Sequence, residues 1–296
     1  MSNPLPLPPL VCGIDDGYVR PLRALMRSIA RAHSGAIGEL RLIVLDQGLA
    51  AGSREAIEHD AQVLGLATQL RPAPVPDPNY PVSDWVSSAV YTRLSIPEVI
   101  PEEPRVLYLD ADTMVLGDLR PLLRRPLLGS PVGAVLDAQN PAIGYGIALP
   151  GWDRLGIPMG REYFNSGVML IDLARCRKLR TFEKAHQFLA EHPGKVRFWD
   201  QDALNVAADN NWLRLEPRWN TFALSPLASQ PGFIHYAEAF TPLEQLLADE
   251  ETAAVIHFAG PDKPWNDGYP EGRLKALYQG FLSEMEGRGS RADLLP

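Results

Sequence analysis

Apolar and polar positions along the first third of the chain follow a strand–helix–strand rhythm. Residues 10–14 are a short apolar run closed by Asp15, Asp16 and Gly17, the pattern of a buried strand entering a turn. Pro21 then opens a helical pattern. Leu22, Leu25, Met26 and Ile29 recur at i, i+3, i+4 and i+7, and Ser34 and Gly35 close it. Residues 40–45 repeat the strand pattern and lead to Asp46. Residues 53–64 read as a helix with Ser53 as its N-cap, and a third strand is predicted near 68–71. Strands alternating with helices build a parallel, doubly wound sheet. Ligands of such sheets lie beyond the carboxyl ends of the strands, where Asp15, Asp16 and Asp46 fall.

The pattern continues with a Pro-rich loop at 72–83 and a predicted helix at 84–94 bounded by Pro97 and Pro101. A strand is predicted at 105–112, sequence RVLYLDAD, and another at 131–137, ending on Asp137. Residues 144–160, rich in Gly and Pro, read as a candidate lid, and a buried-type strand lies within 163–173. Helices are predicted at 181–191 and 200–208, a late strand at 255–258, a loop at 260–265 and a terminal helix at 272–286. The economical arrangement is one α/β domain over 8–270 with a small C-terminal helix and tail, 271–296.

Composition narrows the function. The 296 residues carry 28 Lys and Arg against 36 Asp and Glu, a formal charge of −8. That charge disfavours sequence-blind binding of nucleic acid, and an anionic small ligand would need a metal ion or a local basic cluster. Two cysteines, Cys12 and Cys176, make neither a disulfide framework nor a zinc pattern, so a reducing, cytoplasmic setting is expected. No secretory signal is expected from MSNPLPLPPL, which lacks a basic segment. No membrane-spanning helix is expected either, since the charge-free stretch 219–237 contains Pro226, Pro231 and Gly232.

The sharpest chemical signal is Asp110-Ala111-Asp112. On a strand, side chains at i and i+2 share a face, and two carboxylates there repel unless a cation or proton lies between them. Oxygen ligands suit Mg²⁺ or Mn²⁺. The bland reading is two solvated aspartates at a strand-to-loop corner. His257 opens HFAGPDKPW at a second strand end. It could add nitrogen to an O,O,N set, which favours Mn²⁺ over Mg²⁺. Gly260 would let backbone approach a ligand, Lys263 would set a point charge near phosphate, and Trp265 could pack or stack. Asp200 and Gln201 in FWDQD, Asn165 in FNSG and Arg93 in VYTRL are candidates for holding sugar hydroxyls or phosphate. Their structural readings are a helix N-cap, a turn before a core strand and a solvated helix face.

Taken in order, CGIDDGY, YTRLSIPEVI, RVLYLDADTMVLGDL, EYFNSGVMLIDL, FWDQDALN and HFAGPDKPW run from residue 12 to 265. Together they resemble glycosyltransferase family 8, retaining enzymes with nucleotide-sugar donors, and most of all its bacterial lipopolysaccharide galactosyl- and glucosyltransferases. The resemblance implies a GT-A fold, a Rossmann-like, mostly parallel twisted sheet flanked by helices. It also implies a UDP-sugar donor, a saccharide acceptor and Mn²⁺, with Mg²⁺ as a substitute. On the matching positions it implies Asp110, Asp112 and His257 as metal ligands, and Asp15 as the uracil contact with Asp16 beside it. Gly260 and Lys263 match diphosphate contacts. Arg93, Asp137, Asn165, Asp200 and Gln201 match the donor-sugar pocket, with Gln201 on the β side of the anomeric carbon. An amide is a poor nucleophile, so front-face attack is expected, with Asp200 as a transient nucleophile the alternative.

Three features depart from the family pattern. Gly17 replaces a residue that is often polar, the segment around Trp85 matches no acceptor pattern, and the tail GRGSRADLLP is too short and weakly basic to imply membrane docking. Two rival functions are a catalytically inactive nucleotide-sugar-binding relative and a D-x-D phosphohydrolase. The latter wants Thr where Met114 stands.

Overall fold

The structure is a computed structural model that describes residues 6–83 and 86–285. The segments expected at Asp84 and Trp85, at the first five residues and in the C-terminal tail lie outside the described residues. The elements are β1 (Leu10–Ile14), α1 (Val19–Ala32), β2 (Arg41–Asp46), α2 (Ala51–Leu64) and β3 (Ala67–Pro72). Next come α3 (Ile96–Val99), β4 (Arg105–Leu109), β5 (Thr113–Val115), α4 (Arg120–Leu123) and β6 (Val132–Leu136). They are followed by β7 (Phe164–Asp172), α5 (Leu173–Leu179), α6 (Thr181–Glu191), α7 (Trp199–Ala208), β8 (Leu213–Arg214) and β9 (Thr221–Phe222). The last are α8 (Ser225–Ala228), α9 (Leu243–Asp249), β10 (Val255–His257) and α10 (Arg273–Met285).

Among the described residues the main sheet has the order β3-β2-β1-β4-β7-β6-β8. β7 alone runs against the rest, antiparallel to both β4 and β6. Leu10, Cys12 and Ile14 of β1 pack towards Leu22, Leu25, Met26 and Ile29 of α1, while Val11 faces the side covered by Phe188, Leu204 and Ala207 of α6 and α7. A strand buried on both faces reads as a continuous apolar run, which is the pattern seen at 10–14. A smaller sheet, β5-β10-β9, sits beside it, and α10 closes a third apolar cluster with Tyr278, Phe281 and Phe258.

Several local expectations change. α2 starts at Ala51, and Ser53 does not cap it. Instead Asp16 accepts from the Ala50 N–H at 3.1 Å and bonds Ser53, which places a carboxylate at the positive end of the helix. Residues 88–95 form a 3₁₀ helix, not the expected α-helix at 84–94. Ser and β-branched residues are poor α-helix formers, and Ser87 bonds the Ala89 N–H to start the tighter turn; Pro97 then opens α3. The strand expected at 105–112 ends at Leu109, and the chain turns through Asp110–Asp112, closed by the Thr113 N–H on the Asp110 carbonyl at 3.1 Å. At α7 the N-cap position is Phe198, not Asp200, and Asp202 accepts from the Arg197 and Phe198 N–H groups at 2.6 and 2.8 Å. The candidate lid is tied down: Ala142 bridges Glu162, Ala148 and Leu149 are buried, and the Leu149 N–H donates to Asp202 at 3.1 Å.

Candidate active site

β1, β4 and β6 end at one edge of the sheet, and the reversed β7 begins there. That topology collects Asp15, Asp110, Asp137 and Asn165. The β6–β7 register breaks between Ala134 and Val135: Ala134 pairs with Met169 and Val135 with Asn165. Ser166, Gly167 and Val168 are the extra residues of this bulge, which re-aims Asn165 and Ser166. The Asp110 N–H donates to the Gly167 carbonyl at 2.8 Å and anchors the turn to the bulge.

The late histidine arrives by strand pairing. β10 runs antiparallel to β5 with His257 opposite Thr113, and the Phe258 N–H donates to the Asp112 carbonyl at 3.0 Å. Asp110, Asp112 and His257 therefore converge, with one ligand atom of each within 4.8 Å of the others. Each carboxylate has one oxygen held by a cation. Arg93 Nη2 lies 2.8 Å from Asp110 Oδ1, and Lys263 Nζ lies 2.5 Å from Asp112 Oδ2. The remaining oxygens face His257 Nε2, Asp110 Oδ2 at 3.9 Å and Asp112 Oδ1 at 3.3 Å. This O,O,N set fits a hard or borderline divalent ion, since it offers two anionic oxygens and one imidazole nitrogen. Burial works against the Asp112 charge, but Lys263 and His257 outweigh it and hold that carboxyl well below the usual range.

Arg93 is only 4% exposed. An unpaired guanidinium there would cost several kcal/mol, by the general penalty for buried ions. It is surrounded by acceptors: Asp110, the Ser166 carbonyl at 2.7 Å and Asp200 at 2.8 Å, with the Tyr108 ring 4.6 Å below. Asp200 Oδ2 is in ionic contact but accepts no aligned hydrogen bond. Burial lifts the Asp200 carboxyl to about 7 against the opposing pull of Arg93, and Asp110 adds to the rise.

Beside the acidic cluster lies a web of amides. Gln201 Oε1 accepts from the Ser166 N–H and from Asn165 Nδ2, both at 2.9 Å, and Gln201 Nε2 donates to Asp137 Oδ2 at 3.1 Å. Asp137 Oδ1 accepts from the Gln139 and Asn140 N–H groups. Asn165 Oδ1 accepts from the Gly167 N–H at 2.9 Å and from Asn220 Nδ2 at 2.8 Å. Asn220 then reaches His257 Nδ1 at 3.0 Å.

Asp110, Asp112, His257, Arg93, Asp200, Asp137, Asn165 and Gln201 line one cavity of about 370 Å³, together with Asp15, Tyr18, Trp199, Phe233, Tyr236, Gly260 and Lys263, and Asn220 stands behind His257 without lining it. The structure thus brings together every expected site residue except Asp16, which is engaged at α2 and does not line the cavity. Asp46 is likewise used in the fold, 2.6 Å from Arg54. Asp15 Oδ2 accepts from Ser87 at 2.6 Å, whereas the buried Oδ1 has no hydrogen-bond partner among the described residues. Gly260 has a φ of +93°, which favours glycine, and its Cβ position faces open space. Tyr18, Ser166, Trp199 and Asn220 were not expected at the site. Tyr18 does belong to the CGIDDGY block, but Asn220 falls within a charge-free stretch that carries no spacing signal.

A mixed sheet of this order, with an acidic pair and a histidine at its edge and a sugar-sized, amide-lined cavity, defines a GT-A-type glycosyltransferase. A family model described as glycosyl transferase family 8 matches residues 9–268, and the chain belongs to that family. General stress protein A of Bacillus subtilis is 29% identical over 87% of this chain and 87% of its own length. A lipopolysaccharide 1,2-glucosyltransferase of Escherichia coli is 29% identical over 63% of this chain, which spans about half (52%) of that relative's length. The crystal structure of the galactosyltransferase LgtC, in complex with donor and acceptor sugar analogs, superposes with a TM-score of 0.75. It is 25% identical and covers 93% of this chain and 95% of its own. Among the described residues, no helix is long and apolar enough to cross a membrane.

Proposed function

We propose that this chain transfers a hexose, galactose or glucose, from a UDP-sugar to a saccharide acceptor with retention of configuration and with Mn²⁺ as cofactor. The observation that carries the reading is the convergence of Asp110, Asp112 and His257 at the rim of the amide-lined cavity. A divalent ion there would neutralise charge on the departing diphosphate, usually the largest catalytic term in such reactions. Lys263 adds a second positive charge next to the same position. Asp15, whose Oδ1 has no partner among the described residues, would offer an acceptor to a nucleobase N–H, and Tyr18, edge-on to Trp265 at 5.9 Å, forms the neighbouring wall.

Asp137, Asn165, Arg93, Asp200 and Gln201 would hold the sugar. Gln201 Oε1 accepts from Asn165 Nδ2 and the Ser166 N–H at 2.9 Å and from Ser166 Oγ at 3.4 Å, so its lone pairs are engaged. That supports attack from the front face, with the amide positioning the sugar and not bonding to the anomeric carbon. The acceptor would enter past Gln139, Asn140, Ile147 and Tyr236 on the open side of the cavity. Residues 8–270 are taken as the catalytic unit. Cys12 and Cys176, both free and buried, suit a reducing, cytoplasmic location.

The test is incubation with UDP-galactose and UDP-glucose, with and without Mn²⁺. UDP release that requires Mn²⁺ and falls roughly 100-fold or more in Asp110→Ala supports the transferase. Tight donor binding without release to any saccharide would point instead to an inactive binding relative. Phosphate release from simple phosphomonoesters would point to a phosphohydrolase.

A further inference from the structure

The amide web fixes the protonation pattern of His257 from the backbone outward. The Gly167 N–H donates to Asn165 at 2.9 Å, so the atom it meets is the oxygen, Oδ1. Asn220 lies 2.8 Å from that same oxygen and must present its NH₂ group there. Its own oxygen is thereby turned to His257 Nδ1, 3.0 Å away, and can only accept. Nδ1 must then carry a proton, and Nε2 is the nitrogen aimed at Asp110 Oδ2 and Asp112 Oδ1. The Ser166 N–H on Gln201 Oε1 orients the other half of the web in the same way. Asn220 and His257 are both buried, so no solvent bond competes.

We propose that Asn220 is a positioning residue. It locks His257 in the Nδ1-protonated form with Nε2 presented for metal, and it links the metal centre to the Asn165–Gln201 sugar pocket. The inference rests on reading Asp110, Asp112 and His257 as the metal centre. A histidine ligand depends on the partner of its other nitrogen, and loss of such a partner typically weakens metal binding 10–100-fold. Leucine fills nearly the same volume as asparagine and cannot accept a hydrogen bond. Aspartate keeps the acceptor.

The test uses the full chain without donor. Mn²⁺ affinity is measured by EPR titration, and ¹⁴N coupling to the bound Mn²⁺ by pulsed EPR. Asn220→Leu is expected to weaken Mn²⁺ binding about 10–100-fold and to lose the imidazole ¹⁴N coupling. Asn220→Asp keeps the acceptor for Nδ1 but loses the donor to Asn165 Oδ1, so it is expected to keep the coupling and to lose less Mn²⁺ affinity than Asn220→Leu. Melting temperature and metal-free UDP binding confirm that each variant is folded. If Asn220→Leu is unfolded, Asn165→Leu, which removes the group that orients the Asn220 amide, is expected to weaken Mn²⁺ binding in its place. Wild-type Mn²⁺ affinity with intact ¹⁴N coupling in a folded Asn220→Leu, or in Asn165→Leu where that stands in, overturns the proposal. So does equal loss in Asn220→Leu and Asn220→Asp. If wild type itself binds no Mn²⁺, the metal-centre reading fails and not merely the role of Asn220.

Discussion

Gly167→Ala isolates the placement of His257, the proposed nitrogen ligand, with a single methyl group. The backbone of Gly167 lies outside the left-handed region, so alanine brings no conformational penalty and the whole effect comes from its Cβ. That Cβ would stand 2.3 Å from His257 Cε1, 2.7 Å from Nδ1 and 3.0 Å from Asn165 Oδ1. Carbon atoms settle at about 3.5–4.0 Å, so the imidazole must retreat by roughly 1 Å or more. It has little room to do so, because Phe222 meets the ring edge-on at 5.5 Å and Asn220 holds Nδ1. Overpacking of this kind costs about 1–3 kcal/mol, which lowers the melting temperature by roughly 2–12 °C and leaves the protein folded at 25 °C. A misplacement of about 1 Å at a catalytic constellation costs on the order of 100-fold in rate. The assays are an EPR titration of Mn²⁺ and initial rates of UDP release across Mn²⁺ concentrations. Metal-free UDP binding serves as the control and should stay within about threefold of wild type, because the methyl acts on the imidazole and not on Asp15. A variant with wild-type Mn²⁺ affinity and wild-type rate would show that His257 is not held at the metal by this contact.

Three further outcomes are expected. Lys263→Met removes the ammonium 2.5 Å from Asp112 and leaves a buried carboxylate without its partner. The loss, about 3–5 kcal/mol without metal, should shrink when Mn²⁺ is added, and an equal melting deficit with EDTA and with Mn²⁺ would contradict this. Burial lifts the Asp200 carboxyl to about 7, and that of Asp202 also rises, so the folded protein holds more protons than the unfolded chain between pH 4 and 7. The stabilisation is complete below the unfolded carboxylate range and is lost as pH rises through 7. Metal-free protein should therefore melt lower at pH 8 than at pH 5.5, with a shallower slope in Asp200→Asn; a slope unchanged by the substitution would refute the assignment. Leu128, 81% exposed with φ +52°, carries a left-handed backbone penalty that Leu128→Gly relieves. The gain should be about 1 kcal/mol, or roughly 2–4 °C by calorimetry, and no gain would refute it.

How much of this was readable in advance follows from how local each cause is. The β1-α1-β2-α2-β3 order was predicted because each element carries its own period, 2 or 3.6, within a few residues. The 3₁₀ segment at 88–95 was misread because its apolar spacing passes for a helix, while the decisive signals are Ser87 and the β-branched residues. Asp15 and Asp16 are chemically identical neighbours. What separates them is remote: the start of α2 captures Asp16, and the cavity receives Asp15. The approach of His257 to Asp112 depends on β10 pairing with β5 across more than 140 residues, and only the matched family blocks hinted at it.

Asn220 shows the limit most clearly. Its role is set by the direction of an amide, and that direction is dictated by a backbone N–H in the β7 bulge at the far end of a three-residue relay. Neither periodicity nor motif spacing encodes the orientation of a neighbour's amide. The bulge itself arises only where β6 changes register along β7. The carboxylates of Asp15, Asp110 and Asp137, by contrast, stand at strand ends, where chain direction alone delivers them to the cavity edge. Residues that touch ligands through fold direction can thus be proposed from sequence. Residues that orient those ligand-touching groups through buried hydrogen bonds emerge only once each donor and acceptor has a place.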